Sequence, residues 1–536
     1  MKSPVERIEV PIRELEALLE GVRDALGEPG YLKLKGALET LEYLTRLIED
    51  QKTTIQQLRE LLSKPASTEK TDKVLEKAGL KPETNQAAGA RTPRKPRKGH
   101  GRHGARAYTA AHRIPVRHAW LASGDSCPKC QKGKLYAQRD PGVLVHVVGQ
   151  APMEASIYEL EKLRCSLCLE VFTATAPPEA GEKKYDETAA SMIALLKYGS
   201  GVPFYRLDKL QGNVGIPLSP STQWGIVQEA AQPIRPVLEE LIRQAAQGKV
   251  LYNDDTRARV LALRREQPER GDDRTGVFTS GIVSTTDGWK VALYFTGRQH
   301  AGENLADVLK WRAADLNPPI QMCDALSRNN PKQAGRMKIL TANCNAHGRR
   351  QFVEIAASFP DECRYVLESF RSVYHNDRLA EEQKLSEEDR LQFHQEHSGP
   401  VMDQLHTWLT TQLAEHRTEP NSGLGKAISY LLRHWIKLTL FLREPGVPLD
   451  ANIVERALKM AILHRKNALF YKTLRGAAVG DLFMSLIHTC ELNGVNPFHY
   501  LTELLRHSAE LPPHPADWMP WNYRDTLLRL TTPAAA

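Results

Sequence analysis

The amino-acid sequence predicts a multi-domain protein of mixed helix and sheet, in which an α/β core follows helical and metal-binding segments. The chain has 536 residues, several times the roughly 100–200 residues of a typical domain. Strand-like runs rich in Val, Leu, Tyr and Ile begin at Lys249, and two closely spaced cysteine pairs precede them. A hydrophobic fraction of 41% is sufficient to build buried cores.

Shifts in composition divide the chain into six regions. They are a helical, coiled-coil region at 1–64, a linker with a basic arm at 65–115, a zinc-binding module at 116–180, a helical region at 181–247, an α/β catalytic core at 248–490 with a helical insertion at about 345–448, and a tail at 491–536.

Leucine and isoleucine recur every seven residues in the N-terminal region, a pattern typical of a coiled coil. The repeat comprises Leu34, Leu41, Ile48, Ile55 and Leu62. Such a seam favours a homodimer or a higher oligomer. An intramolecular helical hairpin could bury the same stripe, because another apolar run precedes it at 15–26.

A basic arm follows at 91–106, which holds seven Arg or Lys residues and no acidic residue. Its cations include Arg94, Lys95, Arg97, Lys98 and Arg102. The interleaved Pro and Gly disfavour regular secondary structure, so we expect an arm that neutralises DNA phosphates irrespective of base sequence. A plain linker, or an RNA-binding arm, would have the same composition.

Four of the eight cysteines form two CxxC pairs separated by 34 residues. The first pair is Cys127 and Cys130, and the second is Cys165 and Cys168. Two such pairs can supply the four thiolates of a tetrahedral zinc site. The sequence therefore predicts one structural Zn²⁺ in a zinc-ribbon-like module, in which the segment between the pairs forms two strands that bear the second pair. A disulfide pairing is disfavoured because the other cysteines are scattered, as in reduced proteins.

The region at 181–247 has helical composition and could include a helix-turn-helix. Gly215 is followed by IPLSPSTQWGIV, in which Ser219 or Ser221 could cap a helix. No cluster of Arg, Asn or Gln that would read bases stands out here. A structural helical spacer is the equal alternative.

Two acidic residues close strand-like runs of the core, where carboxylates from neighbouring strands can converge. Asp254 ends the first run and Asp324 the fourth, while Glu455 lies in a stretch of helical composition. Three strands, a helix and a fourth strand follow one another in the order of ribonuclease H-like folds. Converging carboxylates suit Mg²⁺ or Mn²⁺. Adjacent strand residues face opposite sides of a sheet, so the pattern leaves open whether Asp254 or Asp255 binds metal.

The motifs occur in an order that resembles the insertion sequence 66 family of bacterial transposases, the TnpC type. The shared pieces are GHGR from Gly99, CPKC from Cys127, KYGSGVPFYRLDKLQGNVGIPLSPSTQWGIV from Lys197, DDT from Asp254, Asp324, CNAHGRRQF from Cys344, NIVERALK from Asn452, HRKNALF from His464, and DWMPWNY near the C-terminal end. The resemblance implies a DDE-type enzyme in which Asp254, Asp324 and Glu455 hold two Mg²⁺ or Mn²⁺ ions, and it favours Asp254 over Asp255.

Two departures from this family's pattern indicate a divergent subgroup. Family members usually have two Asn before the Glu segment, where this chain has Asp450, Ala451 and Asn452. Gly348 stands where Ala is usual before the arginine pair. Neither departure removes one of the three carboxylates.

Basic residues near the carboxylates are candidates for DNA binding. They are His347, Arg349, Arg350, Lys459, Arg465 and Lys466. Arginine pairs suit bidentate hydrogen bonds to phosphate. Lys459 follows Glu455 by one helical turn and so shares its face, where it could contact the substrate backbone or form an ordinary ion pair with Glu455. His347 could act on water or phosphate, or be merely packed.

These features predict a bacterial transposase that binds the terminal inverted repeats of its element and catalyses metal-dependent strand cleavage and strand transfer. Expected partners are double-stranded DNA of the element ends and target, and accessory transposition proteins. The alternatives are a catalytically silent zinc-containing DNA-binding factor and a nuclease limited to hydrolysis. No apolar run approaches the roughly 18 residues of a membrane span, and the first residues lack a signal-peptide core. We therefore expect a cytoplasmic, nucleoid-associated protein without a membrane partner.

Overall fold

The structure is a computed structural model that describes the chain mainly over 183–265, 274–331 and 337–531. It also describes the shorter segments 19–21, 31, 34–35, 71–77, 106, 114–117, 119–136, 143–144, 151–164, 166 and 170–181. The predicted basic-arm cations at 94–102 and the heptad positions after Leu34 lie outside the described residues. Cys165 and Cys168 do so as well.

A five-stranded mixed sheet forms the centre of the described protein. Its strands are β3 (Val250–Arg257), β4 (Phe278–Thr285), β5 (Lys290–Gly297), β6 (Ile320–Cys323) and β7 (Leu340–Asn343). Their order across the sheet is β5-β4-β3-β6-β7. The first three strands pair antiparallel, whereas β6 and β7 run parallel to β3. The three expected strands and the fourth strand are therefore present, and β7 was not predicted.

Helices cover both faces of this sheet, and accordingly the six central residues of β4 and all four residues of β6 are buried. On one face lie α5 (Arg235–Ala246) and α7 (Ala301–Leu309), and α7 connects β5 to β6. On the other lies α13 (Asn452–Ala468), while α14 (Leu474–Leu492) runs along the edge strand β5. Gly281 of β4 lets α13 approach closely, since an added Cβ would lie 2.9 Å from Leu458 Cδ2.

The open edge of the sheet, β5, is closed by polar side chains of α14. Asp481, Ser485, Thr489 and Asn493 accept hydrogen bonds from backbone N–H groups of Thr296, Tyr294, Ala292 and Lys290, at 2.7, 3.0, 3.0 and 3.0 Å. Four helical residues rise about 6 Å and two strand residues about 6.8 Å, so the two spacings match. The edge is thereby protected from pairing with another strand.

A helical insertion separates β7 from α13. It contains α8 (Asn345–Ile355), α9 (Pro360–Glu382), α10 (Glu387–His397), α11 (Gly399–Ala414) and α12 (Gly423–Leu438). Asp377 joins α9 to α10 through Arg390 and through His394 Nε2, which lies 3.0 Å away. This buried polar contact helps to fix the helices against each other.

Helices also precede and follow the core. They are α1 (Thr71–Lys77), α2 (Glu187–Ala194), which continues as a π-helical turn over Leu195–Gly199, α3 (Phe204–Asn213), α4 (Pro220–Ala231), the short α6 (Leu261–Arg265), α15 (Pro497–Arg506) and α16 (Tyr523–Thr531). Gly215 adopts φ +80° in the turn between α3 and α4, and Ser219 caps α4 by accepting from Thr222 N. Near the C-terminal end, Trp521 stacks on Trp289, with ring centroids 4.7 Å apart.

The first cysteine pair lies on a tight turn. Gln131 N donates to Cys127 O at 2.8 Å and Cys127 N to Gly133 O at 2.7 Å. Further along, β1 (Lys162–Arg164) pairs antiparallel with β2 (Val171–Thr173). We predicted that the segment between the cysteine pairs forms two strands that bear the second pair. β1 and β2 do lie on either side of that pair, but β2 follows it and so lies outside the segment between the pairs. The described part of the preceding segment, 151–161, forms no strand.

In the described part of the chain, no helix is both long enough and apolar enough to cross a membrane.

Candidate active site

Two of the predicted carboxylates lie on one face of the sheet, near the point where β6 ends beside the central strand β3. Tyr252 of β3 pairs in parallel with Met322 of β6. Asp254 and Asp324 each follow by two residues, and side chains two apart along a strand share a face. Asp254 is also paired with Gly281, the residue against which α13 packs. Both aspartates therefore belong to the side of the sheet that α13 covers.

Asn329 joins these two carboxylates. Its Nδ2 lies 2.5 Å from Asp324 Oδ1 and 3.3 Å from Asp254 Oδ1. The backbone oxygen of Asn329 accepts from Asn253 Nδ2 and from Gln321 Nε2, both at 2.7 Å. These bonds fix a short 3₁₀ turn, Ser327–Asn329, beside β3. One buried amide thus bridges two acidic side chains.

The electrostatics of Asp254 indicate a site that lacks positive charge. Burial, followed by the negative charge of Asp324, raises the pKa of Asp254 to about 7. Hydrogen bonds from Asp255 N, at 2.8 Å, and from Asn329 offset only part of this cost. A bound cation would favour the ionised form of both aspartates.

Asp255 faces the opposite side of the sheet. Its carboxylate lies 2.8 Å from His300 Nδ1 and 3.2 Å from Arg328. The side chain of Asp255 is only 1% exposed, and the ring of His300 packs against Phe278 at 4.3 Å. Because Arg328 precedes Asn329, the ion pair between the exposed Arg328 and the buried Asp255 anchors the turn that holds the bridging amide.

Glu455 lies in the first turn of α13. It faces His347 of α8, whose Nε2 is 3.6 Å from Glu455 Oε1. Together with Cys344 these residues offer three ligand atoms within 4.8 Å of one another. Glu455 Oε1 and His347 Nδ1 are buried and have no hydrogen-bond partner among the described residues. Such unsatisfied atoms are expected where a ligand or ion binds.

The three predicted carboxylates do not form one tight cluster in the described structure. Among the described residues, the ligand atoms of Cys344, His347 and Glu455 lie within 4.8 Å of one another. Those of Asp254, Asp324 and Glu455 do not. Packing of α13 on Gly281 brings the helix turn that holds Glu455 against the strand pair of Asp254. The structure therefore joins Asp254 to Asp324 directly, and Glu455 to His347.

The predicted DNA-binding residues fall into two groups. Lys459 and Lys466 are exposed on α13, and no ion pair joins Lys459 to Glu455, both of which are described. In contrast, Arg349 is 7% exposed and donates to Thr71 Oγ1 at 3.4 Å. Arg465 donates to Thr256 Oγ1 at 3.1 Å and to the backbone of Arg257. Both arginines therefore make contacts within the fold, Arg349 from an inward-pointing side chain and Arg465 through its hydrogen bonds to β3. Arg350 is half-buried.

Sequence reasoning missed three residues of this region, namely Asn329, Arg328 and His300. The run SRNN follows Asp324 closely, and an amide soon after a strand-ending aspartate was the available signal. His300 lies 45 residues from its partner Asp255, so only the folded chain brings them together.

A family model described as "Transposase IS66 family" matches residues 183–479, and one described as "IS66 C-terminal element" matches residues 485–518. The chain is 29% identical over 346 residues to the uncharacterized protein y4jD of Sinorhizobium fredii, covering 62% of this chain and 65% of that protein.

Two further proteins of the same organism are similar. The uncharacterized protein y4hP is 28% identical over 383 residues, covering 68% of this chain and 67% of its own length. The uncharacterized protein y4qI is 24% identical over 358 residues, covering 63% and 62%. The chain thus spans about two thirds of the length of the curated relatives it matches. Since the first family model covers more than half of the 536 residues, the chain belongs to the IS66 transposase family.

Proposed function

We propose that this protein is the DNA transposase of a bacterial insertion sequence, which binds terminal inverted repeats and catalyses divalent-cation-dependent strand cleavage and strand transfer. The observation that supports this most directly is that Asn329 bridges the carboxylates of Asp254 and Asp324, which lie on one face of the sheet near the end of β6. In the reaction, water would break a phosphodiester bond at the element end. The freed 3′-hydroxyl would then attack a phosphodiester of the target.

The residues present fit a magnesium or manganese site. Asp254 and Asp324 supply carboxylate oxygens, and a bound cation would offset the burial and the repulsion from Asp324 that raise the pKa of Asp254. Glu455 adds a buried oxygen that lacks a hydrogen-bond partner in the described structure. When bound, two divalent cations would stabilise the attacking and leaving oxygens of an in-line displacement. The geometry supports Asp254 rather than Asp255 as the ligand, because Asp255 is engaged by His300 and Arg328.

Other residues of the chain would organise the site. Asn329 holds Asp254 and Asp324 together and offsets part of their repulsion. His347 lies 3.6 Å from Glu455, where it could donate a hydrogen bond and orient that carboxylate. Lys459, one turn after Glu455 and exposed, could contact a substrate phosphate. The inward-facing Arg349 would instead stabilise the fold around α8.

The remaining parts of the proposal concern the architecture. The order β5-β4-β3-β6-β7, with three antiparallel strands followed by two parallel ones, supports a ribonuclease H-like core. The turn at Cys127 and Cys130 supports half of a structural zinc site that Cys165 and Cys168 would complete. We also propose self-association through the heptad at 34–62, a phosphate-binding arm at 91–106, and a nucleoid-associated location.

One observation favours a second candidate, a catalytically silent DNA-binding member of the family. Glu455 lies with Cys344 and His347, not in a tight cluster with both aspartates. In the active protein, Glu455 and the aspartates would draw together around the cations when DNA binds.

The test is an assay of nicking and strand joining on a labelled element-end duplex, with and without Mg²⁺, beside a binding titration on the same duplex. Cleavage followed by joining supports the transposase. Cleavage without joining would indicate a nuclease, and specific binding without cleavage would indicate the silent factor.

A further inference from the structure

Helix α12 of the insertion has an unusual charge distribution. Its 16 residues, GLGKAISYLLRHWIKL, contain Lys426, Arg433, His434 and Lys437 and no acidic residue. Lys426, Tyr430, Arg433 and Lys437 are spaced four, three and four residues apart, which places them on one face of a helix. The opposite face is buried in the insertion through Leu424, Ala427, Ile428, Leu431 and Leu438. The helix therefore presents a cationic face, defined here as Lys426, Tyr430, Arg433, His434 and Lys437.

The cations of this face are not neutralised within the described structure. Lys426, Arg433 and Lys437 are exposed, and no ion pair with a described residue engages any of them. By comparison, Arg235, Arg378 and Arg417, which are also exposed on helices or their ends, each face a carboxylate. Burial and then the charges of Arg433 and Lys437 lower the pKa of His434. Three like charges held together in this way favour an anionic partner.

The cationic face adjoins the candidate active site. Helix α12 packs against β7, and Asn343 at the end of β7 donates to the backbone oxygen of Asp324 at 3.2 Å. Burial, followed by the negative charge of Asp324, raises the pKa of Tyr430 to about 12. The ring of Tyr430 also lies 4.9 Å from that of His434. A polyanion bound along this face would therefore pass beside Asp324.

We propose that the cationic face of α12 binds the phosphate backbone of the DNA strand that enters the candidate active site. Lys426, Arg433 and Lys437 would contact successive phosphates, and the paired rings of Tyr430 and His434 would contact a sugar or base. This assignment rests on the proposed function and adds to it a specific substrate surface, which belongs to the helical insertion and not to the sheet.

The test compares three variants in a DNA-binding titration at several salt concentrations. The first combines Lys426→Gln, Arg433→Gln and Lys437→Gln. The second retains charge through Lys426→Arg, Arg433→Lys and Lys437→Arg. The matched control combines Arg235→Gln, Arg378→Gln and Arg417→Gln, which removes equally many exposed charges that already have partners. Circular dichroism and thermal unfolding check that each variant folds.

We expect the first variant to lower affinity for the element-end duplex at least tenfold and to reduce the salt slope by about three phosphate contacts, each contributing about 0.9. The charge-retaining variant and the control should stay close to wild type. If the first variant binds like wild type, or if the control weakens binding equally, the assignment of the surface is wrong. If wild-type protein binds no DNA, the proposed function itself fails.

The proximity to Asp324 has its own readout. A photoreactive amino acid at position 433 should crosslink to nucleotides within a few positions of the cleavage site. Crosslinks confined to distant nucleotides would overturn the placement of this surface beside the active site, even if α12 binds DNA.

Discussion

The side-chain amide of Asn329 donates a hydrogen bond to Asp324 Oδ1 at 2.5 Å, and the same nitrogen lies 3.3 Å from Asp254 Oδ1. Asn329 is fully buried, and its backbone oxygen is fixed by Asn253 and Gln321. A neutral amide can only partly offset the repulsion between two carboxylates. The two carboxylates are therefore held in place with a remaining repulsion, which the proposed cation would offset.

Asn329→Ala tests this relationship. Without divalent cations the variant should lose about 1–3 kcal/mol of unfolding free energy, the cost of leaving buried polar groups without a partner. With excess Mg²⁺ the loss should shrink, because the cation takes over the role of the amide. Chemical unfolding with and without Mg²⁺ measures both values. Asn330→Ala is the neighbouring control, and an equal loss under both conditions would show that Asn329 acts only through packing.

Asp481 provides a pH-dependent test of the edge-strand contacts. Burial raises the pKa of this carboxyl from 3.8 to about 7, although Thr296 donates to it through both N and Oγ1. The folded pKa is higher than the unfolded one, so the stabilising contribution is complete below about pH 3.8. It is lost as the pH rises through about 7.

Asp481→Asn can keep both contacts with Thr296 but cannot ionise. The variant should therefore gain stability relative to wild type as the pH rises from 5 to 8.5. The gain should approach about 2 kcal/mol, below the limit of about 4 kcal/mol set by 1.36 kcal/mol per tenfold change in acidity. Urea unfolding at the two pH values measures it. Asp315→Asn, an exposed change, should show no such trend, and a flat difference for Asp481→Asn would contradict a raised pKa.

The sequence was informative where one local pattern determines the outcome. Asp254 and Asp324 each follow an apolar strand-like run, and parallel pairing of β3 with β6 brings such ends together. The alternation of side chains along a strand predicts that Asp254 and Asp255 face opposite sides of the sheet, but it does not predict which side holds the candidate active site. That depends on α7 and α13, which cover different faces.

Contacts between residues that are distant in the chain could not be predicted, because no local pattern determines them. The Asn329 bridge depends on the short 3₁₀ turn that follows β6 and packs beside β3. Strand β7 has only four residues, which is too short for a clear alternation of apolar and polar side chains. Glu455 and His347 face each other from two helices, although they lie 108 residues apart in the chain. The heptad and basic arm stay predictions.

Asp255→Asn should separate anchoring from metal binding. Removing the charge weakens the contacts of the buried Asp255 side chain with His300 and Arg328, so we expect a loss of about 1–3 kcal/mol of unfolding free energy. The Mg²⁺ concentration that gives half-maximal cleavage should change little, because Asp255 faces away from the site. A large rise in that concentration, without loss of stability, would identify Asp255 as the metal ligand instead of Asp254.

Zinc analysis tests the cysteine module. Purified protein should contain about one Zn²⁺ per chain, and Cys127→Ser should lose it. Because binding free energy is folding free energy in such modules, the region at 116–180 should become protease-sensitive while the core at 248–490 stays resistant. Cys363→Ser, at a buried cysteine within α9, is the control and should retain zinc. Zinc-free protein prepared without chelators would remove this assignment.

The last prediction separates catalysis from DNA binding. Glu455→Gln keeps the shape of the side chain and its capacity to hydrogen-bond with His347, which lies 3.6 Å away, but it removes a negative charge. DNA affinity should stay the same or rise slightly, since repulsion from phosphate falls. Cleavage should fall by about 10²–10³-fold or more, the scale seen when one transition-state contact is removed.

Asp254→Asn and Asp324→Asn should lower cleavage to a similar degree. Double substitutions should cost little beyond the single ones, because residues that build one metal site act as a unit. Asp315→Asn, exposed and outside the site, serves as the matched control in the same nicking and joining assay. Near-normal cleavage by Glu455→Gln would leave Asp254 and Asp324 as a two-carboxylate site, with Glu455 acting only beside Cys344 and His347. Additive losses in the double variants would mean that the three carboxylates act independently, which a shared pair of cations does not allow.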